Sequence, residues 1–412
     1  MTLRTRPIQK PVEFLHDGEL LTAEAGEPLA FSLIAEERLL LARSPKLHRP
    51  RGPYCLRAAC DGCLVRVDGV PNVMACQRQV LGGETVETQN VVGSRNVDLL
   101  AATDFMFPHG IDHHRLFAGV RGVSGVVQRM ARRIAGLGRL PDAPVEVEPS
   151  SARDVDVLVV GGGASGLELA TKLGARAVVV DEARSFGGAA RLLAPERAEA
   201  LLAAARSSGA ELLDETCALG VFGTKPFGVL VRAGHGVTWV RARALVLANG
   251  GHDASPPFGN GDLPGVFSAR AGLELLQAGV SPGRRVAVVG RGDFAERAAK
   301  NLGQALCLRL ESSDDVSAAH GALQVTQLAT RSGKTRVDAV LFDAVEAPAF
   351  ELAVQAGGAT HFEPSLGYVL DRDDDGAVSE GVFAVGRLAT RTDGARPNIA
   401  RVAARILSAL NE

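Results

Sequence analysis

Apolar and polar residues alternate over positions 12–24 around an Asp17-Gly18 turn, which predicts a β-hairpin. From about Glu27, Leu29, Leu33 and Ile34 fall on one helical face. Cys63–Val67, an Asp68-Gly69 turn and the run to Cys76 predict a second hairpin, and Thr85–Thr88 another strand. Past residue 150 the pattern changes. An apolar run from Asp156 enters a glycine turn, then a helix-period segment, then a second apolar run ending at Asp181, which is a βαβ unit. Strands follow at 228–234 and 238–249, and a further βαβ unit runs from Arg285 to Glu311. A strand within 379–391 and a helix over Ile399–Leu410 close the chain. The fold class is α/β.

Within the first region, Cys55, Cys60, Cys63 and Cys76 stand at the spacing C-x4-C-x2-C-x12-C. Three thiolates in one tight loop and a fourth on the next hairpin is how a plant-type [2Fe-2S] cluster is gripped. Ala58, Ala59 and Gly62 are small enough for backbone N–H groups to turn toward the sulfurs. Structural zinc normally pairs two C-x2-C knuckles, and only one is present. Hairpin, helix, metal loop and hairpin is the order of a β-grasp ferredoxin-like domain, expected over residues 1–95.

The glycine turns carry the second signal. Gly161-x-Gly163-x-x-Gly166 follows an apolar strand and opens a helix, the context in which this fingerprint means dinucleotide binding. Gly161 permits the tight turn, Gly163 lets the backbone approach a pyrophosphate, and Gly166 lets the helix pack on the strand. The N–H groups at that helix start, at Ala164 and Ser165, face the phosphates. Asp181, with Glu182 beside it, is placed to hold the ribose hydroxyls, and Gly188 lies in the loop that follows. RALVLANGG resembles the strand and glycine turn, here with Gly250, that recross the dinucleotide in two-dinucleotide flavoproteins. The second fingerprint is Gly290-x-Gly292-x-x-Ala295 with Glu311 at the end of the next strand, an acid that favours NAD over NADP. Arg291 is expected to crowd that turn. These units define a two-dinucleotide-binding, Rossmann-type fold: residues 151–260 and 345–412 as an FAD or dinucleotide domain, and 261–344 as a second, NAD-like domain. Residues 96–150 read as a helical connector and linker.

At 412 residues the chain has room for two or three domains, and a net charge of −2 offers no basic field for nucleic acid. No apolar run reaches membrane-spanning length and the first residues lack a signal-peptide core, so the expectation is a cytoplasmic protein. Cys217 and Cys307 sit in apolar stretches and are expected to be inert core thiols. RSPKLHRPRG groups Arg43, Lys46, Arg49 and Arg51, either as a solvated basic loop or as a phosphate, flavin or partner contact through Arg49. His109, His113 and His114 lie near Asp112, but no further carboxylate at fixed spacing completes a metal set. Val126 to Ala135 reads as a helix with a basic side. His252 is either a site residue or an exposed loop histidine. Asp371 to Gly376 imitates a calcium loop, but Val382 stands where the bidentate Glu is required, so a polar turn is expected.

Several segments together resemble the alpha subunit of heterotetrameric sarcosine oxidase and its relatives, the opine oxidases, dye-linked proline or hydroxyproline dehydrogenases and hydrogen cyanide synthase. They are RSPKLHRPRG, DFMFPHGIDHH, AGLGRLPD, the first glycine fingerprint, LVLANGGHD and LPGVFSARAGLELLQAGVSPGRRVAVVGRG, in the expected order. The resemblance implies an electron-transfer subunit of an amine or amino-acid dehydrogenase or oxidase. Its partner would be a beta-type subunit carrying the amine-oxidising FAD, joined in some complexes by small additional subunits. It implies FAD or another adenine dinucleotide at the first Rossmann site, and leaves room for FMN at a subunit interface and for NAD. SEGVFAVGRLATR resembles the closing flavoprotein strand, with Gly386-Arg387 where the family has Gly-Asp. Arg387 is therefore expected to pair a pyrophosphate. The family's folate-binding half and its terminal cysteine-rich domain have no counterpart in these 412 residues, so no folate chemistry is expected.

No paired carboxylates or nucleophile–base arrangement can be picked out, so no catalytic residue is assigned. Two further readings stay open: a self-contained NADH-dependent flavin/[2Fe-2S] reductase, and a scaffold whose dinucleotide folds bind an adenine nucleotide structurally.

Overall fold

A computed structural model describes residues 2–44, 47–91, 93–99, 150–223, 225, 227–234 and 236–411. Lys46, the three histidines at 109, 113 and 114, Asp112 and the 126–135 helix lie outside the described residues. The described residues divide into two compact units, 2–99 with 255–344, and 150–254 with 345–411.

The first unit opens with a five-stranded mixed sheet in the spatial order Glu19–Glu24, Pro11–His16, Thr85–Glu87, Leu64–Val67, Val70–Met74. Pro11–His16 and Thr85–Glu87 run parallel, and the other neighbours antiparallel. Both hairpins close on Asp-Gly turns with φ near +50° at Asp17 and Asp68 and near +80° at Gly18 and Gly69. That is the twist-matched two-residue turn, and it fixes each register. The helix Leu29–Ala35 is buried along its whole length. This is the β-grasp arrangement that the element order predicts.

Residues 255–344 form a separate four-stranded parallel sheet, ordered Val266–Ser268, Ala339–Phe342, Val286–Val289, Leu306–Leu310, with helices Ala269–Gln277 and Asp293–Leu302. A three-stranded antiparallel flap, Val316 to Arg336, is appended. The β-grasp domain docks on this sheet within the same unit. Ser268 donates its N–H to Tyr54 O (3.0 Å), the residue before the first cluster cysteine. Thr5 and Ser281 exchange further backbone bonds with Gly279 and Leu3, and Arg284 pairs Glu37 through both nitrogens at 2.5 and 2.6 Å.

The second unit is built on an eight-stranded sheet. Glu211–Leu213, Ala177–Val180, Ser151–Val160 and Gly236–Leu247 lie side by side in parallel. The 12-residue strand Gly236–Leu247 is long enough to take two partners on its far edge. Its first half pairs antiparallel with Phe227–Ala233 and its last three residues pair parallel with Val382–Ala384. Val157 and Val159 face the layer holding Leu167, Leu169, Val402 and Ile406, while Leu158 and Val160 face Val229, Leu245 and Leu370. Burial on both faces explains the unbroken apolar run at 157–160. Cys217 and Cys307 are free and half-buried rather than core thiols. Both lie on edge strands, Thr216–Phe222 and Leu306–Leu310, where one side of the strand has no neighbouring strand among the described residues.

His16 closes the Pro11–His16 strand with its ring fully enclosed, 3.3 Å from Arg95 Nη1 and 3.6 Å from Asp17 Oδ2. Burial, opposed by the Asp17 carboxylate and reinforced by Arg95, lowers its pKa from 6.5 to about 4. The unfolded chain therefore binds a proton that the folded chain refuses between those values. Stability should fall as pH drops from 6.5 toward 4, by up to about 3 kcal/mol from this residue. Urea midpoints at neutral and acid pH should differ less in His16→Gln than in the parent; an unchanged difference would contradict the assignment.

Candidate functional site

The cluster loop is shaped by two left-handed, non-glycine residues, Leu56 (φ +54°) and Ala58 (φ +59°). This turn aims the Ala58 N–H at Cys76 Sγ, 3.4 Å away. Cys55, Cys63 and Cys76 are buried and Cys60 is half-buried. A Cβ at Gly62 would lie 2.3 Å from Gly52 O, and one at Gly52 would lie 2.5 Å from Leu39 O. Only glycines let these two backbone segments touch.

The four thiols fall into two hydrogen-bonded pairs, Cys55 with Cys60 and Cys63 with Cys76. The bond from Cys55, with N–H groups of Gly62, Cys55 and Tyr54, draws the Cys60 thiol down to about 6 against the opposing effect of burial. Cys63 and the Ala58 N–H likewise lower Cys76, while the donors Cys55 and Cys63 are pushed up by the same bonds and by burial. Among the described residues, no three His, Cys, Asp or Glu side chains are grouped to hold a single ion. Two thiol pairs, each able to serve one iron, suit a binuclear cluster and not a zinc ion. Backbone N–H groups aimed at sulfur suit its negative charge.

The first glycine turn gathers most of the predicted dinucleotide residues. Gly161 has φ +105°, and a Cβ there would meet Ala248 O at 2.5 Å. Gly166, in the first turn of helix Ala164–Leu173, would meet Gly161 O at 2.0 Å. At Gly163 a Cβ would meet nothing within 4 Å, so the space over this backbone is open to a ligand. Asp181 accepts N–H bonds from Gly162 (2.6 Å) and Ala183 (2.8 Å), which fixes its carboxylate beside the turn. A carboxylate held here is chemically suited to ribose hydroxyls. Glu182, by contrast, is exposed, with Cys217 Sγ 3.7 Å from its carboxylate. Gly188 (φ +52°) packs on Gly163, and Gly386 (φ +72°) packs on Ser165 Oγ, so the closing strand meets the helix start. Gly250 adopts φ +77° and accepts the Ala349 N–H. Among the described residues, Asn249 Oδ1 beside it is buried with no hydrogen-bond partner, an acceptor a bound ligand would satisfy. Sequence reasoning missed Gly162, where a Cβ would strike the Phe186 ring at 2.2 Å.

Arg387 does not stand free for a phosphate. Its Nε pairs with Glu346 Oε2 at 2.5 Å, and Glu346 is only 5% exposed. Arg396 stands near both, held below the usual arginine range by burial and by the Arg387 charge. Arg396 donates its Nε to Thr390 Oγ1 at 3.1 Å and adds positive charge beside this pair. Arg387→Ala should cost about 2–3 kcal/mol by stranding a buried carboxylate, measurable as a lower urea midpoint. Adding Glu346→Gln should recover most of the loss; no recovery would mean the pair is not the cause.

At the second glycine turn, Gly290 (φ +121°) and Gly292 press against Asp343. Asp343 Oδ2 accepts the Ala295 N–H at 2.7 Å. Arg291 points outward and pairs with Glu311 at 3.3 Å, so it does not crowd the turn as expected. Arg49 is held by Asp262, at 2.6 and 3.0 Å, and by Asn260 Oδ1, which ties the basic loop to the neighbouring sheet. His252 forms an exposed pair with Glu351 at 2.8 Å. Asp373, Asp374 and Asp375 are each paired, with Arg405, Arg391 and Arg401, as a polar turn would be.

A [2Fe-2S] β-grasp domain followed by a Rossmann-type, flavoprotein-like fold defines the class of this protein. Residues 9–91 match the family of 2Fe-2S iron-sulfur cluster binding domains. In an alignment of 326 positions that covers 71% of this chain, it is 30% identical to sarcosine oxidase subunit alpha of Rhizobium meliloti (strain 1021) and covers 33% of that protein. Over 86 residues it is 34% identical to hydrogen cyanide synthase subunit HcnA of Pseudomonas aeruginosa, covering 21% of this chain and 82% of that one. The crystal structure of L-proline dehydrogenase from P. horikoshii shares the fold over 100% of this chain and 76% of that chain, with TM-score 0.74 and 23% identity. The chain belongs to the family of the sarcosine oxidase alpha and opine oxidase A subunits and HcnA. It spans about a third of the length of the sarcosine oxidase alpha subunits it matches.

Proposed function

We propose that this chain is the electron-transfer subunit of a multi-subunit, flavin-dependent amine or amino-acid dehydrogenase or oxidase. The observation that carries the reading is one chain holding both a loop of two facing thiol pairs and an open glycine turn with an oriented ribose-binding acid. The family supports it, since its members are named as subunits of amine-oxidising enzymes.

When bound, a [2Fe-2S] cluster supplies one-electron transfer and a flavin couples it to two-electron chemistry. Cys55, Cys60, Cys63 and Cys76 would hold the cluster, with the Ala58 N–H screening charge on Cys76. Gly161, Gly163, Ala164, Ser165 and Gly166 receive the pyrophosphate of FAD or another adenine dinucleotide, Asp181 binds the ribose, and Gly188, Gly250 and Gly386 line the turn. Glu182 lies at its exposed edge. The Arg387–Arg396 pair supplies positive charge near the same turn. C–N bond oxidation would belong to an FAD-containing beta-type partner, with room for FMN at a subunit interface, and the complex would work in the cytoplasm.

The test is reconstitution. The purified chain alone should reduce no dye with amine or amino-acid substrates, and should gain that activity only with a beta-type flavoprotein subunit. Substrate-dependent dye reduction by the chain alone would overturn the assignment.

A further inference from the structure

We infer that the second glycine turn is sealed against dinucleotides by Asp343, whose carboxylate fills the place a ligand phosphate would take. The inference stands apart from what occupies the first turn. In the second unit, Val160 pairs in register with Leu247, so Gly161 faces Ala248 across the gap between strand ends. In the first unit, Val289 pairs with Phe342, so Gly290 faces Asp343. Ala248 and Asp343 hold equivalent positions, at the C-terminal ends of parallel strands where such sheets take their ligands.

The two residues have opposite effects. Beside Ala248, a Cβ at Gly163 would meet nothing within 4 Å. Beside Asp343, a Cβ at Gly292 would lie 2.3 Å from Oδ2, 2.7 Å from Cγ and 2.9 Å from Oδ1. The glycine here makes room for a side chain of the protein itself. Oδ2 also takes the Ala295 N–H at 2.7 Å, one of the donors that would otherwise serve a phosphate. Asp343 is 8% exposed, so a pyrophosphate could enter only by displacing it.

Charge points the same way. The helix after Gly163 has no acid in its first turn, whereas the helix after Gly292 has Asp293 and Glu296. Acids at a helix start complement its dipole. Together with Asp343 they supply internally the negative charge that a phosphate supplies in a working site, and they repel a second one. Glu311, the acid expected at the ribose, is engaged by Arg291 on the surface.

Equilibrium dialysis of the full chain against NADH tests this. In Gly163→Val, which closes the first turn, binding should stay below roughly a tenth of an equivalent at about 1 mM NADH, enough to half-fill a millimolar site. Adding Asp343→Ala should raise affinity roughly tenfold or more by removing a like charge and its bulk. Asp343→Asn, which keeps an acceptor for the Ala295 N–H, should give a smaller gain if the alanine variant fails to fold. One equivalent of NADH bound by Gly163→Val with Asp343 intact would overturn the inference. So would the absence of any gain in a folded Asp343 variant that retains its cluster spectrum.

Discussion

Replacing Cys63 by Ala is expected to abolish the cluster's visible spectrum and to lower iron content at least roughly tenfold, since each iron depends on its full thiolate set. Cys63 is 1% exposed and its thiol partner is Cys76, so no water or neighbouring side chain can take its place in that pair. The effect should spread through the first unit. The loop's left-handed turns at Leu56 and Ala58 are strained conformations for residues with a Cβ, and metal ligation is what repays them. The Cys63→Ala chain should therefore show a lower melting transition for that unit. Any flavin should remain, because the first glycine turn belongs to the other unit. Iron at parent level in this variant would contradict the ligand assignment, and loss of flavin together with iron would contradict the independence of the two sites.

The second large effect comes from a pair of glycines three residues apart. Gly166→Val should cost more than about 4 kcal/mol, the range reserved for steric conflict in a core. Even a Cβ would lie 2.0 Å from Gly161 O, so helix Ala164–Leu173 could not pack on its strand. Gly163→Val should leave the melting curve nearly unchanged, because the backbone has φ −69° and open space beside it. It should nonetheless weaken dinucleotide or flavin binding by roughly a hundredfold, because the new side chain stands where the phosphate approaches. Thermal unfolding and bound-flavin content together separate the two roles. Equal destabilisation by both variants would mean that Gly163 is structural.

The features legible in the sequence were local. Cysteine spacing, the two Asp-Gly hairpins and the glycine turns between apolar strands each lie within about 30 residues, and periodicity exposes them. What could not be read depends on register between distant strands. Nothing near Gly290 announces that Asp343 will lie against it, 53 residues on; only the pairing of Val289 with Phe342 brings the two together. Arg387 reads as a free cation until Glu346 is found beneath it. Arg291 reads as an obstacle until its side chain is seen to leave the turn for Glu311. Cys217 and Cys307 sit in apolar runs, but their strands lie at sheet edges, a property of topology and not of the runs. Phe186 over Gly162 left a usable signal, a fourth glycine inside the fingerprint that the dinucleotide motif does not require.

The proposed relay passes on electrons received from a partner and takes none from NADH. Its most direct test is an anaerobic titration of the purified chain, followed by visible absorbance, first with NADH and then with dithionite. Cluster and flavin bands should ignore NADH and bleach with dithionite. Bleaching of both by NADH alone would contradict this and make the chain a self-contained reductase.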